Sequence, residues 1–253
     1  MSPAKPTIVI VPGSFSSHGA YDPFLKLLRA QGFTAVAISL PSTQKRYPLP
    51  PATLQDDAAV VRGVVGQLIA EKEGTEIVVV AHSYGGTVAT EALAGLGVQE
   101  GEKKGGIKRL VFLSATALLV GQNQITGMGL EDESFLPKET DGYMHSDPVT
   151  MALALCNDLP YAQAYEAALL IPHHSAISFR NEVTQASYKD IPLTYILCER
   201  DLIIPPEMQQ RFISNVEEVS GKKVDVKKID AGHCPNWSRP EDLLKLIVEA
   251  ATM

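Results

Sequence analysis

Apolar residues come in short β-branched blocks, and most blocks are followed by a stretch with apolar residues at helical spacing. Thr7-Ile8-Val9-Ile10-Val11 is the first block and predicts a strand. A helix is expected to open at Asp22-Pro23, with Asp22 as cap and Pro23 at the first helical position. It turns Phe24, Leu27 and Leu28 inward and ends at Gly32. Strand 34–38 follows, then a Pro- and Ser-rich loop over 39–52. Thr53 caps a second helix with Val61, Val64, Val65, Leu68 and Ile69 on one face. Residues 76–80 and 109–113 read as further strands, with a helix from Thr87 between them. The pattern breaks over 119–187, which shows short helical stretches such as 161–170 but no strong strand. It resumes with strand 193–198, helix 205–219 closed by Gly221, strand 224–229, and a last helix opened by a Ser238/Glu241 capping box.

Alternating strands and helices with one long interruption predict an α/β fold. The expected architecture is a doubly wound, mostly parallel six-stranded sheet flanked by helices and carrying a helical cap insertion. Residues 1–118 and 188–253 would form the core, and 119–187 the cap.

Composition changes this picture little. With 253 residues, 45% hydrophobic and 20% charged, the chain can bury a full core. The net charge of -7 disfavours a nucleic-acid partner. Lys103, Lys104, Lys108 and Arg109 form a small basic cluster that reads as a solvated loop. Lys222, Lys223, Lys227 and Lys228 bracket Val224 and Val226 and suggest a charged edge strand. Cys156, Cys198 and Cys234 are too few and too far apart for a disulfide framework or a metal knuckle. No apolar run approaches the ~20 residues of a membrane span, and the N-terminus lacks a signal-peptide core. A soluble cytoplasmic protein is expected, without metal, cofactor or membrane partner. Its oligomeric state is open, a homodimer being one option.

The chemistry concentrates at Ala81-His82-Ser83-Tyr84-Gly85-Gly86. A serine between a strand and a helix is a nucleophile elbow: the sharp turn lifts Oγ above the sheet at a helix N-terminus. Ala81 and Gly85 are small enough to let strand and helix approach. A serine nucleophile needs a base and an orienting acid. Of six histidines, only His233 follows the last strand in the chain order serine, acid, histidine. Cys198-Glu199-Arg200-Asp201 ends the preceding strand with two carboxylates; Asp201 is favoured, and Glu199 is expected to pair with Arg200. Backbone amides of Ser14 and Tyr84 are the expected oxyanion donors.

The set Pro12-Gly13-Ser14, Ala81-His82-Ser83-Tyr84-Gly85-Gly86, Cys198-Glu199-Arg200-Asp201-Leu202-Ile203-Ile204-Pro205 and Ala231-Gly232-His233 resembles the α/β-hydrolase superfamily. Together with His18-Gly19-Ala20-Tyr21, it is similar to the small esterases related to plant methylesterases and hydroxynitrile lyases. The resemblance implies a serine hydrolase acting through an acyl-enzyme on a carboxylic ester or lactone of a small, largely apolar or aromatic molecule. A lyase or cyclase using the same triad as acid and base, or a small-molecule receptor, is the alternative. Hydroxynitrile lyases of that branch resemble one another in a lysine after the histidine. Cys234 stands there instead and argues against cyanogenesis. His18, Phe135, Met144, Tyr161, Tyr165, Leu169 and Cys234 are candidate pocket residues, although cap packing explains the aromatic and aliphatic ones equally well.

Overall fold

The computed structural model describes residues 5–98, 105–132 and 136–253. Six parallel strands make the main sheet: β1 (Thr7–Val11), β2 (Ala35–Ala37), β3 (Glu76–His82), β4 (Gly106–Leu113), β8 (Leu193–Cys198) and β9 (Asp225–Ile229). Their order is β2-β1-β3-β4-β8-β9. Residues Thr7 to Val11 pair with Ile77 to Ala81, so β1 and β3 end level with one another.

Parallel strands covered on both faces need apolar side chains in both directions, and these have them. Val9, Val11, Ile77, Val79, Leu110 and Phe112 face one layer. In that layer they meet helices α2 (Leu54–Glu71), α3 (Gly85–Ala92) and α8 (Pro206–Ser220). The alternate residues Ile8, Ile10, Val78, Val80, Val111 and Leu113 face α1 (Asp22–Ala30) and α10 (Pro240–Thr252) on the other side. The edge strand β9 is charged as expected. Lys223 pairs with Glu217, Lys227 with Asp225 and Glu249, and Lys228 with Glu199.

Between β4 and β8 the chain departs from the alternation. Short helices α4 (Gln124–Met128), α5 (Pro148–Leu155), α6 (Tyr161–Ala168) and α7 (Ile177–Arg180) lie in this stretch. So does a three-stranded antiparallel sheet of β5 (Lys138–Thr140), β6 (Tyr143–His145) and β7 (His174–Ser175). The sequence predicts a helical cap insertion with no strong strand, and the cap carries this small sheet beside its helices. Strands of two or three residues are too short to leave a period-2 pattern.

Two caps also differ from expectation. Helix α10 starts at Pro240 after Arg239 with no side-chain cap, because Ser238 ends a separate short helix α9 (Pro235–Ser238). Helix α1 begins with Asp22 as its first residue, after Tyr21. Thr53 caps α2 in a reciprocal box with Asp56, and Gly221 closes α8 in the left-handed conformation. Lys103 and Lys104 lie outside the described residues. Lys108 pairs with Glu76, and Arg109 donates to Thr194, so both are tied down along β4. No helix among the described residues is long and apolar enough to cross a membrane.

Candidate active site

Four strands end in turns that face one another. β1 runs into Pro12-Gly13-Ser14-Phe15, β3 into Ser83-Tyr84, β8 into the loop carrying Asp201, and β9 into the loop carrying His233. This is the carboxyl edge of the sheet, where open α/β folds bind ligands. Gly13, Ser14, Ser83, His233 and Cys234 line one cavity there of about 190 Å³.

The elbow is strained. Ser83 has φ 54°, a left-handed conformation that costs a non-glycine residue roughly 1–3 kcal/mol. The neighbouring strand over-determines it: the Ser83 N–H donates to Leu113 O at 3.2 Å, and Ser83 O accepts from Gly86 N at 2.9 Å and Thr116 N at 3.2 Å. Any side chain at Gly85 would run into the carbonyls of Val11 and Pro12. At Gly13 a Cβ would fall 2.9 Å from Ser83 Cβ and 3.5 Å from Ser83 Oγ, so only glycine lets the β1 turn come this close to the serine.

His233 Nδ1 donates to Asp201 Oδ2 at 2.7 Å, and the two side chains are 4% and 0% exposed. The Ser114 hydroxyl donates to the same Asp201 oxygen, while the amides of Ile203 and Ile204 donate to Oδ1 at 2.7 and 3.0 Å. Burial pushes the Asp201 carboxyl up. The adjacent His233 and the Ser114 and Ile204 donors outweigh it and hold the group below the usual carboxylate range. An ionised Asp201 requires a proton on Nδ1, which leaves Nε2 of the neutral ring as the acceptor. Ser83 and His233 share no hydrogen bond among the described residues, and both line the cavity. Such contacts often tighten only when a reacting group is present. Glu199, the competing carboxylate, is exposed and pairs with Lys228; Arg200 pairs with Asp230, not with Glu199 as expected.

His82 takes a part that sequence reasoning missed. Its Nε2 lies 2.8 Å from His233 O, and its Nδ1 lies 2.7 Å from Tyr21 Oη. A carbonyl only accepts, so Nε2 carries the proton and Tyr21 donates to Nδ1. Burial, then His233 nearby, pushes His82 down to about 3, which keeps the ring neutral. The His233 backbone is thereby fastened to the residue before Ser83. The signal was present in the adjacency of His82 and Ser83, but a histidine beside a serine carries no geometry.

Ser14 lines the cavity, and Tyr84, directly after Ser83, is the residue before α3. The fully buried Tyr84 hydroxyl donates to Asp57 Oδ2 at 3.0 Å, and burial pushes the Asp57 carboxyl up to about 6. Cys234 lies against the cavity; its contact with Cys156 and its burial push the thiol well up, so it stays neutral.

Of the other expected pocket residues, those that are described do not line the cavity. His18 is exposed at the start of a 3-10 turn, and Met144 is buried in the main core. Tyr161 and Tyr165 stack on each other with centroids 6.1 Å apart, and Leu169 is exposed. Phe135 lies outside the described residues. The wall is built instead by Met128, Leu130, Met151, Leu155, Ile171 and Phe179 from the cap, with Ile203 and Trp237 from the core. Met151 and Leu155 are four apart on α5, a helical spacing legible in the sequence. Trp237 follows His233 by four residues. Among the described residues, no group of three or more His, Cys, Asp or Glu is placed to hold a metal ion.

Comparison with known proteins agrees with this fold. The model of the alpha/beta hydrolase family matches residues 8–246. A probable hydrolase, R7, from a Phoma species is 49% identical over 249 residues, covering 98% of this chain and 99% of its own. Among solved structures, an extracellular alpha/beta-hydrolase from a Paenibacillus species has a TM-score of 0.74 at 20% identity. It covers 97% of this chain and 98% of its own, and it shares structural and functional homology with tobacco Salicylic Acid Binding Protein 2. Polyneuridine aldehyde esterase has a TM-score of 0.73 at 21% identity, covering 97% of this chain and 99% of its own. With its sheet, its elbow and a family match over nearly its whole length, the chain belongs to the alpha/beta hydrolase family.

Proposed function

We propose that this protein hydrolyses a carboxylic ester or lactone of a small, largely apolar molecule through an acyl-enzyme on Ser83. The observation that carries the reading is the buried Asp201–His233 pair opening onto the same cavity as a serine held at φ 54°. Ser83 Oγ attacks the acyl carbon while His233 Nε2 takes its proton. The amides of Ser14 and Tyr84 stabilise the oxyanion. His233 then returns the proton to the departing alcohol, and water repeats the sequence to free the acid. Asp201 orients the imidazole and offsets its charge.

The cavity suggests the size and polarity of the substrate. At about 190 Å³ it exceeds the ~150 Å³ that holds benzene in an engineered apolar cavity. Its cap wall is mostly methionine, leucine, isoleucine and phenylalanine, with Gln124 and Pro137, which suits one aromatic or branched aliphatic group beside the scissile carbonyl. The neutral Cys234 thiol supplies no positive charge for a departing cyanide, which favours ester cleavage over cyanohydrin cleavage.

Incubation with a fluorophosphonate probe and with chromogenic short-chain esters tests this. Labelling at Ser83 together with ester turnover is expected. Labelling without turnover of any ester would transfer the site to lyase, cyclase or receptor chemistry.

A further inference from the structure

Phe15 is one of four non-glycine residues with positive φ among the described residues, at 55°. It follows Ser14 directly, in the same short turn after β1 that carries the Ser14 amide. Nothing in the sequence around Phe15 favours that conformation. The stabilising contact comes from 159 residues away: the Phe15 N–H donates to His174 Nδ1 at 3.4 Å. His174 sits on β7 of the small cap sheet and is fully buried.

The proton positions on His174 follow from its partners. Ser178 Oγ donates to the Ser175 carbonyl at 2.8 Å, which uses its only proton. The same oxygen lies 3.0 Å from His174 Nε2 and must therefore accept from it. Nε2 carries the ring proton, Nδ1 is bare, and the bare nitrogen accepts from Phe15. Burial pushes His174 down to about 3, so the acceptor persists at neutral pH. The ring also packs edge-on against Tyr84, with centroids 5.0 Å apart, and at 5.2 Å from Phe15. One cap side chain thus touches Tyr84 and the residue that follows Ser14.

We propose that His174 is a positioning residue for the oxyanion hole: it holds the strained Phe15 turn, and with it the Ser14 amide, at the geometry that ester cleavage needs. The proposal rests on the ester-hydrolase reading. Losing the acceptor would leave a buried N–H unpaired and free the turn to relax. A misplaced oxyanion donor lowers the rate of the chemical step with little effect on ground-state binding.

Two substitutions separate positioning from packing. His174→Phe keeps a ring and loses the acceptor, whereas His174→Asn loses most of the ring and places Oδ1 where Nδ1 was. Ser178→Ala is a third probe, because it removes the partner that fixes the ring proton on Nε2. The readouts are kcat and KM for a chromogenic ester and the rate of Ser83 phosphonylation by a fluorophosphonate, with melting temperatures as a folding check. His174→Phe is expected to lower kcat and the phosphonylation rate at least thirtyfold with KM within threefold. His174→Asn should restore both to within about fivefold of the unmodified protein, and Ser178→Ala should cost about tenfold. If His174→Phe matches the unmodified protein in both rates, or His174→Asn is the worse of the two, the role is packing and the proposal falls. The ester reading falls separately if the unmodified protein is phosphonylated but turns over no ester. The phosphonylation series then still decides on His174. Absence of phosphonylation in the unmodified protein overturns the proposal, since no competent oxyanion hole is then present.

Discussion

The carboxyl edge of the sheet and the cap above it contribute to one cavity in different ways. At the sheet edge, function resides in backbone geometry. Three of the four non-glycine residues with positive φ among the described residues are Phe15, Ser83 and Ser114. They are the residue after Ser14 in the proposed oxyanion turn, the proposed nucleophile and the donor to Asp201. Ser83 donates to Leu113 on β4 and Ser114 to Ile196 on β8, strands whose apolar side chains are buried on both faces, whereas Phe15 donates to His174 of the cap. The cap holds short helices and strands of two or three residues, and Val149, Leu153, Leu169 and Leu170 remain exposed on it. It supplies cavity wall and, in His174, a long-range contact to the Phe15 turn. Strain is affordable where a rigid sheet supports it. The pocket wall needs only the right volume and polarity, which many sequences supply.

If that division holds, substitutions at the sheet edge should abolish the reaction and those in the cap should redirect it. Ser83→Ala and His233→Ala are each expected to lower kcat by on the order of 10⁶, with the double variant little worse than either, because the groups act in one step. Ester turnover near the original rate in Ser83→Ala would remove the sheet edge from the chemistry. Next in size is Asp201→Asn, expected to cost about 10⁴ through the wrong histidine tautomer. Glu199→Gln should change little, because Glu199 only pairs with Lys228 at the surface. A larger loss in Glu199→Gln than in Asp201→Asn would reverse the assignment of the acid.

The cap effect is smaller and of a different kind. Leu155→Ala enlarges the wall beside Met151. It should shift the ratio of kcat/KM between a bulky and a compact acyl ester about tenfold toward the bulky one, the scale of one or two methylene groups in an apolar pocket. An equal loss on both esters would mean that α5 supports the catalytic groups instead of selecting the substrate.

The smallest expected effect links the two regions through protonation. An unfolded histidine takes up a proton near pH 6.5, whereas burial holds His82 and His174 neutral down to about 3. Between those values the unfolded chain binds two more protons than the folded one, and acid favours unfolding. Asp57 opposes this: burial raises its carboxyl from 3.8 to about 6, so near pH 5 the folded chain holds one extra proton. From these three groups, stability should fall by about 1 kcal/mol per pH unit on acidification near pH 5. Asp57→Asn should steepen the slope to about twice that. Urea midpoints at pH 4.5, 5.5 and 7.5 measure it, and an unchanged slope in Asp57→Asn would contradict the buried, protonated carboxyl.

What was legible in the sequence follows the same division. The central strands were readable because burial on both faces demands apolar, largely β-branched runs such as Thr7–Val11 and Glu76–Val80, whereas β9 showed as a charged edge strand. Ser83, Asp201 and His233 were readable as candidates because each follows a strand at a turn. Ser114, Tyr21 and His82 were not, since a hydroxyl donating to a carboxylate 87 residues away leaves no local trace. Met144, Tyr161 and Tyr165 lie on short cap elements, where the sequence does not tell which face turns toward the cavity. His174 stood beside His173 as one of two adjacent histidines. Only the packing of β7 against Phe15 and Tyr84 distinguishes it.

The central claim is that Ser83 carries an acyl group during turnover. Rapid-quench mixing with a p-nitrophenyl ester, followed by mass analysis of the peptide containing Ser83, measures this directly. An acyl-enzyme requires a burst approaching one p-nitrophenolate per protein chain and a matching acyl mass on Ser83, both absent in Ser83→Ala. Steady ester turnover with no burst, no adduct and no dependence on Ser83 would contradict it.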